Sequence, residues 1–498
     1  MNRVLPLFLA LTFAGAFALG LAGIDFGKHW DEHKLVRSVR ETYRTISFLP
    51  GWYNYPSVSY NVMMIASLPD AVSIFAAKRA EGMTPVLGTI QDTLRSTDFL
   101  PRARPFFLFV TLLAGVWVYA LTAILSNNRM AGLLAALLLY SSWEFAYHAR
   151  WAAPDGLLAQ FGILTILLVV LSIKGESGYG KAGWLALSAV AAGLACGAKY
   201  YGGMFLLPVW LGGLRLVQGQ GWRRHGIVLL GLSAVFGATF VLSTPGVLVE
   251  PLRAIKDIQF EINHYSGGHF GYTVFPGSQH LKLALSYLAL AAFSPYTLPA
   301  TAVFLLCLVG VYALIKQRDS WMEAAVFLVI PVLHLVYMSL QKVLFVRNYQ
   351  VLLPFLAILA VRGVFFVWKT FLPNTRLARV TFAALVVLVL AANFAWQYNA
   401  ALSIRNRELV ELNMQLSKYL HDHPNTVFYT SPGAQKLLEK SSFPNLAAAP
   451  QEAESYIYLS EEIEDPLSNR FGLYETPFGP YEVNFNYYPS WEIGRAHV

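Results

Sequence analysis

Charge is scarce in this chain. Only 13% of its 498 residues are Asp, Glu, Lys or Arg, and 56% are hydrophobic, whereas about 25% charge is usual in a soluble domain. That balance excludes an ordinary water-soluble fold and points to a chain that crosses a membrane several times. Cysteine is nearly absent too. Cys196 and Cys307 lie in separate apolar runs, which excludes a disulfide framework and makes both small interior residues. There is no Walker A run, no GxGxxG opening a Rossmann unit and no His/Cys cluster at zinc spacing. No internal repeat is evident, so a transporter built from inverted repeats gains no support. The net charge of +8 does not imply a nucleic-acid partner. The basic residues fall in short loops between apolar runs, which is the positive-inside pattern.

What the sequence has is apolar length. Runs long enough to span recur at about 4–24, 105–125, 130–147, 156–173, 182–198, 200–217, 226–244, 297–316, 323–340, 349–368 and 380–397, each near the ~17–25 residues that a crossing helix needs. These eleven spans form a polytopic α-helical domain over residues 1–397. The first run contains Ala16-Phe17-Ala18, a small-x-small pattern like that of a cleavage site. Its length exceeds the ~7–15-residue core of a signal peptide, so it reads as an uncleaved span. With the N-terminus inside, the inner loops hold most of the Lys and Arg that lie in short loops, including Arg129, Lys181, Arg223, Arg224 and Arg376. The outer ones hold only Arg150, Lys199, Lys342 and Arg347. Segments 25–104, 245–296 and 398 onward then fall outside. Pro56–Leu68 and Thr84–Leu94 read as short amphipathic helices at the boundary, and 281–293 as an interfacial helix. Residues 398–491 read as a small soluble α/β domain, with a helix near 399–421 and strands near 427–429 and 456–459. Residues 492–498 match a translated sequencing adapter. They are expected to be a non-native tail, with the domain truncated near Trp491.

Ionisable residues at membrane depth are costly and usually functional. Asp31-Glu32 lies just past the first run, in Gly27-Lys28-His29-Trp30-Asp31-Glu32-His33. Adjacent carboxylates raise the pKa of one of them, which suits a general base; the plain alternative is a solvated acidic pair. Asp155 follows Pro154 at the head of a span, where it reads as a helix N-cap and as a site residue. Arg150 is a partner for Asp155 or for a phosphate. Lys199, in a turn between two spans, either snorkels to the surface or meets a lipid phosphate as a point charge. Arg347, in Val346-Arg347-Asn348-Tyr349, suits a bidentate phosphate contact or an interfacial anchor. Tyr200, Tyr349, His264 and His269 are candidates to line the substrate. The two histidines sit in a flexible aromatic loop over 261–271, and their spacing matches no standard metal site. Residues 245–271 read as a lid.

With these residues in place, the chain resembles the GT-C glycosyltransferases and, within them, family 39: protein O-mannosyltransferases and the bacterial aminoarabinose transferases of lipid A. The resemblance covers about residues 1–400. It rests on the early Asp31-Glu32 pair, the His148–Asp155 segment before a span, the Ala198-Lys199-Tyr200 turn and the Arg347-Asn348-Tyr349 run leading to Pro354. The family reads Arg-Tyr where this chain has Arg347-Asn348-Tyr349. The resemblance implies inverting transfer of a sugar from a polyprenyl-phosphate donor to a hydroxyl of a protein, lipid or glycan. Asp31 would be the base. Glu32 and Asp155 would orient substrate or Asp31, and Lys199, Arg347 and Arg150 would hold the phosphate. No cofactor or metal is required by such a donor, which brings its own leaving group. The basic inner loops suit a bacterial inner membrane, with the site on the periplasmic side. Two other classes remain open: a transporter or flippase of lipid-linked glycans, which wants polar residues near the midplane, and a ligase of surface polysaccharide.

Overall fold

The computed structural model describes residues 4–22, 24, 32–96, 99–175, 178–269, 272–316, 321–371, 375–405, 409–430, 438, 443–448, 452–459, 473–476, 479–482 and 491–495. The chain divides after Tyr398 into a large helical unit and a smaller C-terminal one.

The helical unit runs α1 (Val4–Ala22), α2 (Glu32–Thr45), α3 (Val58–Lys78), α4 (Met83–Arg95), α5 (Phe99–Ser126), α6 (Arg129–Ser141), α7 (Trp143–His148), α8 (Pro154–Lys174) and α9 (Gly178–Ala198). A 3-10 turn, Tyr200–Phe205, leads into α10 (Leu206–Leu216), followed by α11 (Trp222–Ser243), α12 (Gly246–Val249), α13 (Pro251–Gly267), α14 (Ser278–Leu290), α15 (Thr297–Lys316) and α16 (Trp321–Ser339). A second 3-10 turn, Val346–Leu352, precedes α17 (Leu353–Thr370), and α18 (Arg376–Arg405) ends the bundle. Among the described residues, ten helices are long and apolar enough to cross a membrane. The protein is a multi-pass membrane protein.

Three expectations are corrected. The run at 130–147 is not one span. Ser142 ends α6, and its hydroxyl both accepts from Phe145 N, starting α7, and donates to Ala292 O at 2.7 Å. The run at 200–217 is likewise a 3-10 turn plus an eleven-residue helix, α10. The expected short helix at 56–68 extends to Lys78 and is apolar enough to be a candidate span. Its placement says otherwise. Ser57 N, just before its first turn, donates to Thr244 Oγ1 at the end of α11, and Asp70 pairs with Arg102 in the first turns of α5. A helix tied to those two ends lies across one end of the bundle.

Two glycines set the tightest crossing. A Cβ on Gly310 of α15 would lie 1.9 Å from Leu359 O, and one on Gly363 of α17 would lie 2.0 Å from Leu306 O. The two backbones are in contact, as small residues allow in membrane bundles. Gly310→Val is therefore expected to lower the thermal unfolding midpoint in detergent, with an overpacking cost of about 1–3 kcal/mol. Gly231→Ala in α11, where a Cβ meets nothing within 4 Å, is the control and should leave the midpoint unchanged or slightly raised.

The C-terminal unit contains α19 (Leu409–Asp422) and strands β1 (Phe428–Thr430), β2 (Ser455–Leu459), β3 (Leu473–Thr476), β4 (Gly479–Glu482) and β5 (Trp491–Arg495). β2 is central, parallel to β1 and antiparallel to β5, while β3 and β4 form a separate antiparallel pair. Leu416, Leu420, Phe428, Leu438 and Ile457 form its core. The strand β5 is built mostly from residues expected to be a non-native tail.

Candidate active site

The sequence scatters its ionisable candidates over more than 300 residues, and the fold returns most of them to one end of the bundle. α8 starts with Pro154 at its first position, whose fixed φ suits a helix start. The cap is Ala153, with no side-chain cap bond, which corrects the expectation for Asp155. Asp155 sits in the first turn, where the helix dipole favours a carboxylate, and its side chain is 4% exposed as a residue. It accepts from Lys199 Nζ at 2.6 Å. Lys199 follows α9 in an extended conformation and is buried, so its side chain does not snorkel. Its second bond goes to Asn348 Oδ1 at 2.9 Å. An ammonium has three donors, so these two acceptors leave one N–H. Tyr201 and Tyr55 flank the ammonium, with ring centroids 5.4 and 5.8 Å away.

Asn348 also meets the Tyr265 hydroxyl, with Nδ2 3.2 Å away. Its neighbour Arg347 is buried, with the guanidinium carbon 4.6 Å from the Phe345 ring centroid. Phe345 in turn contacts the rings of His264 and His269, whose centroids are 5.0 Å apart. The segment over 261–271 was expected to be a flexible loop; through Gly267 it is the last turns of α13. Two cations and one carboxylate, Lys199, Arg347 and Asp155, give this cluster a formal charge of +1, the sign that a phosphate needs.

A second buried network lies beside it. Glu32 is 0% exposed and accepts from Arg104 Nε and Nη2 at 3.0 and 2.6 Å, and from Ala152 N at 2.9 Å. Arg104 Nη1 donates to Ile24 O. Glu32 therefore ties the start of α2 to the segment that delivers Asp155. Asp31, the expected base, lies outside the described residues. The expected pairing of Arg150 with Asp155 is not what forms. Arg150 donates to the carbonyls of Leu19 and Gly20 in α1 and of Ala146, because it is buried against the end of that helix. Tyr200 donates to Tyr53 O at 2.6 Å. Tyr349 is engaged too. His280 Nδ1 lies 2.8 Å from Gln341 O, so that nitrogen donates and Nε2 accepts the Tyr349 hydroxyl at 2.8 Å. Burial lowers the His280 pKa, which keeps this ring neutral as the arrangement requires.

Sequence reasoning missed Arg104, Asn348, Tyr201 and Tyr265. Two of them carried a visible signal: Asn348, inside the Arg347-Asn348-Tyr349 run, and Arg104, a cation beside Pro105 at the head of a long apolar run.

The helical architecture is that of the GT-C fold. Over 91% of its length the chain superimposes on 93% of ArnT from Cupriavidus metallidurans bound to undecaprenyl phosphate, with a TM-score of 0.52 at 14% identity. It also matches the oligosaccharyltransferase of Archaeoglobus fulgidus, over 97% of this chain and 74% of that one, with a TM-score of 0.47 at 12% identity. A third match is arabinofuranosyltransferase AftD from Mycobacteria, over 98% of this chain and 40% of that one, with a TM-score of 0.45 at 12% identity. In sequence, residues 95–242 match the family described as dolichyl-phosphate-mannose-protein mannosyltransferase. No curated protein sequence matches the chain. The protein is a membrane glycosyltransferase of the GT-C fold.

Proposed function

We propose that this glycosyltransferase moves a sugar from a polyprenyl-phosphate donor to an acceptor hydroxyl on the extracytoplasmic face of a bacterial plasma membrane, inverting the anomeric centre. Asp31 removes the proton from the acceptor hydroxyl. The oxygen attacks the anomeric carbon, and the bond to the phosphate oxygen breaks with its electron pair leaving on the lipid phosphate. One displacement inverts the centre. Lys199 and Arg347 stabilise the charge that grows on the departing phosphate, an electrostatic contribution made by groups already fixed in place. Glu32 holds the chain next to Asp31. No metal takes part in this scheme, since the donor supplies an anionic leaving group of its own.

One observation carries the reading: the buried Lys199–Asp155–Asn348 cluster, with Arg347 adjoining it, places net positive charge at the end of a bundle that bilayer lipids surround. A lipid-borne phosphate fits that position better than a soluble one. The ArnT neighbour, bound to undecaprenyl phosphate, supports the same donor chemistry. The acceptor is a hydroxyl of a protein, lipid or glycan.

The test is transfer in proteoliposomes with short-chain polyprenyl-phosphate sugars. Asp31→Asn is expected to cut turnover by about 10²–10⁴-fold, the usual worth of a general base. Equal turnover by wild type and variant would remove Asp31 from the scheme. No turnover with any such donor would favour transport of a lipid-linked glycan.

A further inference from the structure

Beside the Lys199 cluster lie two buried polar side chains that the scheme above does not use. The Tyr201 hydroxyl and both nitrogens of His334 are shielded from solvent and, among the described residues, have no hydrogen-bond partner. The Asn348 backbone faces His334 without hydrogen-bond geometry. A buried polar group without a partner costs about 1–3 kcal/mol. Two of them side by side, 5.4 Å between ring centroids, call for a shared explanation.

Their setting supplies one. His334 is wedged between the rings of Tyr201 and Tyr349, the latter 5.8 Å away at 90°. Tyr201 is the partly exposed member, and its ring also faces Lys199 Nζ. The backbone that carries it is fixed, since a Cβ on Gly202 would lie 2.3 Å from Ala195 O. Aromatic faces provide a platform for the C–H face of a sugar ring. A phenol and a neutral imidazole each offer a donor and an acceptor, which is the pattern a hydroxyl offers in return. A phosphate would instead select cations, and Lys199 stands two residues before Tyr201 in the chain.

We propose that Tyr201 and His334 form the sugar-reading part of the donor site, with the Tyr201 hydroxyl and the His334 imidazole hydrogen-bonding hydroxyls of a neutral sugar whose phosphate is held by Lys199. The inference rests on the lipid-phosphate sugar as donor and adds the residues that choose the sugar. It makes Tyr201 and His334 specificity determinants that act on sugar affinity and leave the phosphate contact alone.

The test separates the two contacts by binding. Dissociation constants are measured on the detergent-solubilised full chain for a short-chain polyprenyl phosphate and for the same lipid carrying mannose, glucose or galactose. The tightening contributed by the best sugar is the readout. Tyr201→Phe and His334→Gln should each leave the bare lipid phosphate bound as in wild type. Tyr201→Phe should reduce the sugar's contribution about five- to tenfold, the worth of one neutral hydrogen bond and its orphaned partner. His334→Gln keeps a donor near Nε2 and should lose less than His334→Leu. An unchanged sugar contribution in both Tyr201→Phe and His334→Leu overturns the inference and leaves a trapped water as the partner of the orphans. Wild type that binds the lipid phosphate without any gain from sugar also overturns it, while the phosphate site stands. Wild type that binds neither lipid removes the donor reading and the inference with it.

Discussion

Lys199→Met is expected to slow transfer by about 10²–10³-fold, the usual cost of removing a group that stabilises leaving charge. Stability falls with it. Lys199 is the cation facing a carboxylate that is 5% exposed at the side chain, and stripping one partner from a buried pair costs about 3–5 kcal/mol. The two losses can be told apart. In Asp155→Asn combined with Lys199→Met no buried charge is left without its partner, so much of the thermal stability should return while transfer stays slow. Single-turnover kinetics with a polyprenyl-phosphate sugar and an unfolding scan in detergent measure both. A Lys199→Met protein that folds normally and turns over within threefold of wild type would place the phosphate elsewhere.

The second large effect concerns Arg104, which contacts no residue of the Lys199 cluster in the hydrogen bonds described. Arg104→Leu leaves Glu32 charged and fully enclosed, which should cost about 3–5 kcal/mol. Glu32→Gln is the informative partner. An amide oxygen still accepts from Ala152 N, so the tie between α2 and the segment before Asp155 survives. Its stability loss should be smaller than that of Arg104→Leu, and combining the two should recover part of the Arg104→Leu loss. The double-mutant cycle reads the coupling, and additive losses would show that the pair is not a unit. Activity adds a further readout. If Glu32 positions its neighbour, Glu32→Gln lowers kcat more than it raises KM for the donor.

Asp155, Lys199 and Arg347 were legible in the sequence because a charge at the end of an apolar run is expensive and stands out against its surroundings. Their convergence followed from topology, since alternate span ends share a face. What the sequence hid was partnership over distance. Ser142 looks like part of an uninterrupted apolar run because its acceptor, Ala292, is 150 residues away. Glu32 reads as one half of an acidic dipeptide because Arg104 lies 72 residues downstream. The role of Arg150 was misplaced for the same reason: the backbone carbonyls it meets in α1 carry no sequence signature. α3 shows the converse, a helix whose composition satisfies a crossing although its hydrogen bonds lay it across the bundle end. The pairing of Tyr201 with His334 has no sequence signature, since an orphaned atom is a property of three-dimensional surroundings.

The short stretch between α2 and α3 is sewn to α13 and its N-cap residue at three points. Tyr53 N donates to Asp257 Oδ2 at 2.8 Å, Tyr53 Oη to Glu250 Oε2 at 2.6 Å and Asn54 Nδ2 to Glu261 Oε1 at 2.7 Å. Every one of these stitches ends on a carboxylate, and the donors are neutral. Hydrogen bonds that end on a carboxylate are stronger than neutral ones, and salt, which screens ion pairs, has little purchase on them. The Tyr200 hydroxyl rests on the carbonyl of the same Tyr53, so loosening the seam frees the floor on which the turn after Lys199 stands.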